Sequence, residues 1–315
     1  MSYKVFTAIV CMALALGARA EEEMVKFGNF DSWITRSVKE SILVGGRTQT
    51  LYEVGPKGKF NGARAYTNQG GSPWANSNVY AKVAGVVKTN VSVFPDKHQG
   101  GQCAKLTTHI VSAKAIGVIN ISVLATGSVF LGTLIEPVTG SSNPMSKMSM
   151  GIPFTKRPKA VKFDYKYTSP GTERIRETGF SRTQKVKGKD MGQATCLLQK
   201  RWEDADGNIH ALRIGTMRHR FSQNTEWREG QTFDIHYGDI TGESFYQGFM
   251  GLLGGSETFY ALNSKGKNVP VLEEGWASPD ETPTHLILKF DSSHGGAYVG
   301  TVGNTLWVDN VKLVY

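Results

Sequence analysis

The chain has 315 residues, a formal net charge of +9, 40% hydrophobic and 20% charged residues. A chain of this length and apolar content buries a sizeable core unaided, which excludes a disordered chain and a small disulfide scaffold. The positive balance is moderate and dispersed, and it points to anionic glycans or a charged surface sooner than to nucleic acid.

Lys4 precedes an apolar run from Val5 to Leu16, and Ala18-Arg19-Ala20 follows. A positive, an apolar and a small-x-small segment in that order predict a signal peptide over residues 1–20. The apolar run is too short to span a bilayer, and no later stretch qualifies. The chain is therefore expected to be exported, to the periplasm, the cell surface or the medium. Removing Lys4 and Arg19 leaves 34 basic against 27 acidic residues, a balance of +7. Two cysteines then remain, Cys103 and Cys196. They allow one disulfide in an oxidising compartment or two separate buried thiols. Residues 21–315 contain no Pro/Ser linker, no low-complexity run and no internal repeat, so one elaborated domain is expected.

Strand patterns run the length of that domain. Ser32–Leu43 fits an amphipathic helix or extended chain. Ile119–Gly132 is β-branched and mostly apolar, as a strand buried on both faces would be. Lys159–Ser169 alternates Val161, Phe163, Tyr165 and Tyr167 against Lys162, Asp164 and Lys166. Gln193–Thr216 reads as two strands around an Asp206-Gly207-Asn208 turn. Thr284–Ser293 alternates Leu286, Leu288 and Phe290 against Ile287, Lys289 and Asp291. The 36 glycines fall mostly between these runs. An all-β sandwich with long loops is the predicted fold class.

No GxSxG, HExxH, CxxC, P-loop or GxGxxG motif is present. Three constellations carry chemistry instead. Asp31, beside Phe30 and Trp33, and Asp309, beside Trp307 and Val308, are carboxylates set in apolar surroundings, which need a compensating partner. Terminal strands that cross and share a calcium ion satisfy that need, since calcium takes carboxylate and carbonyl oxygens. Trp74 lies in a polar, glycine-rich stretch beside Asn76 and Asn78, groups suited to a sugar ring and its hydroxyls. Trp227 and Trp276 also read as loop residues. Glu136, before Pro137, and Asp164, beside Lys166, are candidates for a glycosidase pair, which needs carboxylates about 5–5.5 Å or about 6.5–9.5 Å apart. Glu173, Glu177, Glu257 and Asp280 are less marked.

The strings SPWANSNVYAKVAGVVKTNVSVFPDK, AIGVINISVLATGSVFLG, EPVTGSSNPMSKMSMGIPFTKRPKAVKFDYKY and KFDSSHGGAYVGTVGNTLWVDNVKLVY resemble the PCMD family, a carbohydrate-metabolism domain of exported bacterial proteins. The resemblance implies a jelly-roll β-sandwich similar to carbohydrate-binding modules, which often hold a structural calcium between their first and last strands. Three functions follow as expectations. One is an exported oligo- or polysaccharide-binding protein using Trp74, Asn76, Asn78, Asp164 and Lys166. Another is a glycoside hydrolase using Glu136 and Asp164. The third is a structural surface protein with no ligand. No organic cofactor is expected, and the oligomeric state is open.

Overall fold

The computed structural model describes residues 20–315 apart from 63, 116–118, 141 and 180–182. The predicted signal peptide, Ala20 aside, lies outside the described residues. The chain is all-β, strands joined by loops and short helical turns. Among the described residues no helix is long and apolar enough to cross a membrane.

Two large sheets share one core. The first has six strands, with Thr305–Val314 in its middle between Ala160–Thr168 and Gly101–Thr107. Glu22–Met24 pairs with the same central strand, Glu22 opposite Val314, so the first and last strands described are neighbours. Glu22 takes hydrogen bonds from Lys162 and Lys312, which pull its carboxyl down to about 2.

In the second sheet, Trp74–Asn76, Ser128–Leu134, His285–Asp291, Gly192–Glu203 and Ile209–Phe221 lie side by side. It continues through Asn268–Trp276, Tyr260–Leu262 and Met148–Met150 back to Ser128–Leu134, closing seven strands into a barrel-like ring.

Period-two alternation explains the core. Ala104, Leu106, Val161, Phe163, Leu306 and Val308 of the first sheet meet Val129, Ala194, Cys196, Leu198, Leu288 and Phe290 of the second. On the far face of the second sheet, Phe130, Leu197 and Ile287 pack under Leu253 and Phe259 as a separate apolar cluster.

Two segments differ from expectation in detail. Ser32–Leu43 is extended over Trp33–Lys39, followed by a helical turn at Ile42–Val44. Ile119–Gly132 is two strands, Ile119–Ala125 and Ser128–Leu134. The break falls at Gly127, where a Cβ would stand 2.3 Å from the Thr107 nitrogen and 2.6 Å from the Ser92 oxygen. Only glycine lets those backbones approach that closely.

The possible Cys103–Cys196 disulfide does not form; both thiols are free and buried. Alternation is the reason. Cys196 points into the shared core. Cys103 flanks the core residue Ala104 and so faces the other side of its sheet, toward Asp309. Burial pushes the Cys103 thiol up to about 12 and the Cys196 thiol upward as well. Both are expected to react with a thiol reagent only after unfolding in guanidinium. Fast labelling of the native protein, or a native mass short by two hydrogens, would contradict this.

Candidate functional site

The two terminal carboxylates converge on one hairpin but not on one ion. Exposed Asp31 accepts a hydrogen bond at 2.8 Å from the Gln102 amide, at the tip of the Val93–His98/Gly101–Thr107 hairpin. Buried Asp309 meets His98 of the same hairpin, Oδ2 to Nδ1 at 2.7 Å. His98, Asp164 and Asp309 bring potential ligand atoms within 4.8 Å of one another, and Asp31 is outside that group. One imidazole and two carboxylates are not the six to eight oxygens that calcium takes. The Asp31–Asp309 calcium expectation therefore does not fit the residues present.

Asp164 sits opposite Asp309 across the two strands. Its oxygens accept from the Gly230 amide at 2.5 Å and from Asn310 Nδ2 at 2.8 Å. The His98 ring stacks on Trp227, centroids 3.6 Å apart, which shields the cluster from water. Burial lifts the Asp309 carboxyl to about 6; the Asp164 charge adds to this, while the His98 and Asn310 hydrogen bonds oppose it. A carboxyl raised on folding is protonated in the native state where the unfolded chain has released its proton. Its contribution to stability is present below the ordinary carboxylate range and lost as pH rises through about 6. Urea unfolding should show this decline between about pH 4 and 6, and Asp309→Asn should flatten it. An unchanged decline in the variant would assign it to another group.

The proposed sugar platform is internal. Trp74 is completely buried, packed on Phe30, and donates its indole N–H to the Lys26 carbonyl at 2.8 Å. Asn76 Nδ2 serves the Tyr52 carbonyl and Glu53. Asn78 Nδ2 serves the Tyr52 and Val93 carbonyls, and its oxygen accepts from the Ser92 and Val93 amides. The polar composition that suggested hydroxyl recognition instead satisfies backbone groups that no strand pairs. Trp227 and Trp276 lie in the strands Thr225–Asp234 and Asn268–Trp276, not in loops.

The Glu136–Asp164 pair also separates. Glu136 is buried against Arg36 Nη2 at 2.6 Å and accepts from the Tyr66 and Tyr80 amides. Asp164 belongs to the His98 cluster, and the two carboxylates share no partner. Lys166 Nζ bonds exposed Glu226 at 2.8 Å and lies 5.7 Å from the Trp307 ring centroid.

A cleft of about 720 Å³ opens elsewhere, on the far face of the second sheet. Strand register builds its floor. Ser128 lies opposite Asp291, Asp291 opposite Gln193, and Gln193 opposite Arg220. One step along, Phe130, Lys289, Thr195 and Arg218 form a parallel row. The intervening residues, Val129, Phe290 and Ala194, are the ones that point into the core.

The floor's charges are paired within it. Lys289 Nζ lies 2.5 Å from Asp291 Oδ1, which also accepts from Ser128 Oγ at 2.5 Å. Arg218 Nη2 lies 3.0 Å from Glu257 Oε2, and burial holds the guanidinium below its ordinary value. Asp291, the partner of Lys289, also favours the charged form of Arg218, though less than Glu257 does. Sequence alternation had marked Lys289 and Asp291 only as the outward side of a strand; Glu257 was a minor loop carboxylate. Glu136, Asp164 and Trp74 do not line the cleft.

Two solved structures are similar in outline. One is titled a putative glycoside hydrolase from Bacteroides thetaiotaomicron, with 19% identity and TM-score 0.47 over 89% of this chain and 70% of that one. The other is titled a putative glycoside hydrolase from Bacteroides vulgatus, with 15% identity and TM-score 0.41 over 71% of this chain and 77% of that one. Among curated proteins, none matches the chain. The profile of the family PCMD, "Putative carbohydrate metabolism domain", matches residues 49–237. That span is more than half of the chain and includes the Gln193 and Arg218 strands of the cleft floor, and the protein belongs to the PCMD family.

Proposed function

We propose that the protein is an exported glycan-recognition protein of jelly-roll type, and that the cleft above Ser128, Gln193, Arg218, Lys289 and Asp291 takes the saccharide. The observation that carries this is the pair of cross-strand rows. They concentrate an amide, a hydroxyl and two cations, each paired with a carboxylate, on the floor of one cleft. Such a surface donates to and accepts from hydroxyl groups at fixed spacing, and convergent polar groups in a cleft of this size are the usual form of a small-ligand site. Membership of a carbohydrate-metabolism family agrees with the choice of ligand class.

Glycan-array binding by wild type and Arg218→Lys tests it. The shorter reach of lysine and its lack of a planar fork should weaken binding at least tenfold in a protein that still folds. No binding to any glycan, or equal binding by the variant, overturns the reading.

A second reading, hydrolysis, rests on the carboxylates of Asp291 and Glu257 around Arg218. Release of reducing sugar that is lost in both Asp291→Asn and Glu257→Gln would favour it.

A further inference from the structure

The walls of the cleft differ in kind from its floor. One wall is the hairpin His109–Ala115/Ile119–Ala125, where Val111 faces Val123 and Ala113 faces Ile121 across the strands, all four lining the cleft. Another is the hairpin Val79–Val83/Val86–Asn90, which contributes Val83 and Val86, an adjacent cross-strand pair. Both hairpins stand outside the two main sheets. None of the six tryptophans lines the cleft. The two hairpin walls are aliphatic where they line the cleft; the aromatic rings in the lining, Phe259 and Tyr298, come from other segments. The hairpin walls offer a continuous hydrocarbon surface.

The floor asks for a particular head group. On the floor Lys289 is matched by Asp291 and Arg218 by Glu257, and Lys88 of the lining is matched by Glu40, so a head group on the floor needs no net charge; Lys147 adds a positive side chain to the lining away from those pairs. Ser128, Gln193 and Lys289 line the cleft beside Arg218, and their donors and acceptors can be met by hydroxyl or ring oxygens without bringing charge.

We infer that the ligand is an amphiphilic saccharide, with a neutral, hydroxyl-rich head on the floor and an alkyl or acyl chain along the two hairpins. This rests on the saccharide reading above and adds the chain to it. Each methylene buried against the walls is expected to raise affinity about fourfold.

Titration calorimetry on the full chain tests this with the hexyl, octyl and decyl glycosides of glucose, galactose, mannose and maltose, each below its micelle concentration. The free sugars, octanol and octanoate are the controls. Octyl glycosides of at least one head group should bind at least tenfold more tightly than the matching free sugar, with affinity rising along the series. Val123→Asp should abolish that rise. Val123→Ala, which adds no charge, should reduce it and guards against a variant that fails to fold. Arg218→Lys should weaken every glycoside while leaving the dependence on chain length. If glycosides and free sugars bind alike and both Val123 variants behave as wild type, the inference falls and the saccharide reading stands. Should octanol or octanoate match the glycosides with no effect of Arg218→Lys, both fall. Failure of every octyl glycoside to bind also overturns the inference.

Discussion

Glu136→Ala is expected to cost about 3–5 kcal/mol of folding free energy, the range for removing one partner of a buried ion pair. Arg36 is completely buried, with Nη1 2.7 Å from Glu53 and Nη2 2.6 Å from Glu136. Glu136 also accepts from the Tyr66 and Tyr80 amides, at 3.0 and 2.8 Å, tying the Tyr66 loop and the strand Val79–Val83 to the Arg36 strand. Its loss would leave the guanidinium with Glu53 and the Arg64 carbonyl, and the two amides without this acceptor. Glu53 is a poor substitute, because burial already pushes its own carboxyl up to about 8 against the pull of Arg36. Replacing all three charges, in Arg36→Met/Glu53→Gln/Glu136→Leu, should recover part of the loss, since no buried charge is then left to desolvate. Urea unfolding measures both. A single variant within about 1 kcal/mol of wild type would show that the network contributes little. Loss of sugar release in a stably folded Glu136→Gln would return the residue to catalysis.

Trp74→Ala should cost a similar amount, about 3–5 kcal/mol, the range for emptying a buried aromatic site. The indole fills a site beside Phe30 with no exposed surface, and its N–H pairs with the Lys26 carbonyl. Trp74→Phe keeps most of the packing and should lose chiefly the hydrogen bond to the carbonyl of exposed Lys26, about 0.5–1.5 kcal/mol. Thermal and urea unfolding should rank wild type, Trp74→Phe and Trp74→Ala in that order. A Trp74→Ala protein as stable as wild type with weakened glycan binding would reverse the assignment of Trp74 to the core.

Much of the fold was legible because alternation is local. Val161, Phe163 and Tyr167 could be placed on one face from their spacing, and they lie in the core together. Leu288 and Phe290 were read correctly against Lys289 and Asp291 in the same way. What spacing cannot supply is the register between strands distant in sequence. Ser128, Gln193, Arg218 and Asp291 become one floor only through those pairings. Trp74 misled for a related reason. Its polar neighbours looked like solvent-facing groups, whereas Asn68, Asn76 and Asn78 bond backbone carbonyls, several of them far along the chain. Side-chain capping of unpaired backbone and hydroxyl recognition use the same residue types. Asp309 is the buried carboxylate that its apolar neighbours suggested, and it meets the His98 imidazole; Asp31, read in the same way, is exposed and accepts from the Gln102 amide.

The hairpin that both carboxylates grip has a consequence for hydrogen exchange. The Gln102 amide sits near a turn, where amides ordinarily exchange with solvent through small local fluctuations. Here it is held by Asp31 from the segment that follows the first strand, while His98, opposite the neighbouring Gly101, is held by Asp309 of the last. The tip can open only when both holds release. The first strand, the last strand and the tip of this hairpin are therefore expected to open as one unit in hydrogen exchange, drawn from residues nearly three hundred positions apart in the chain.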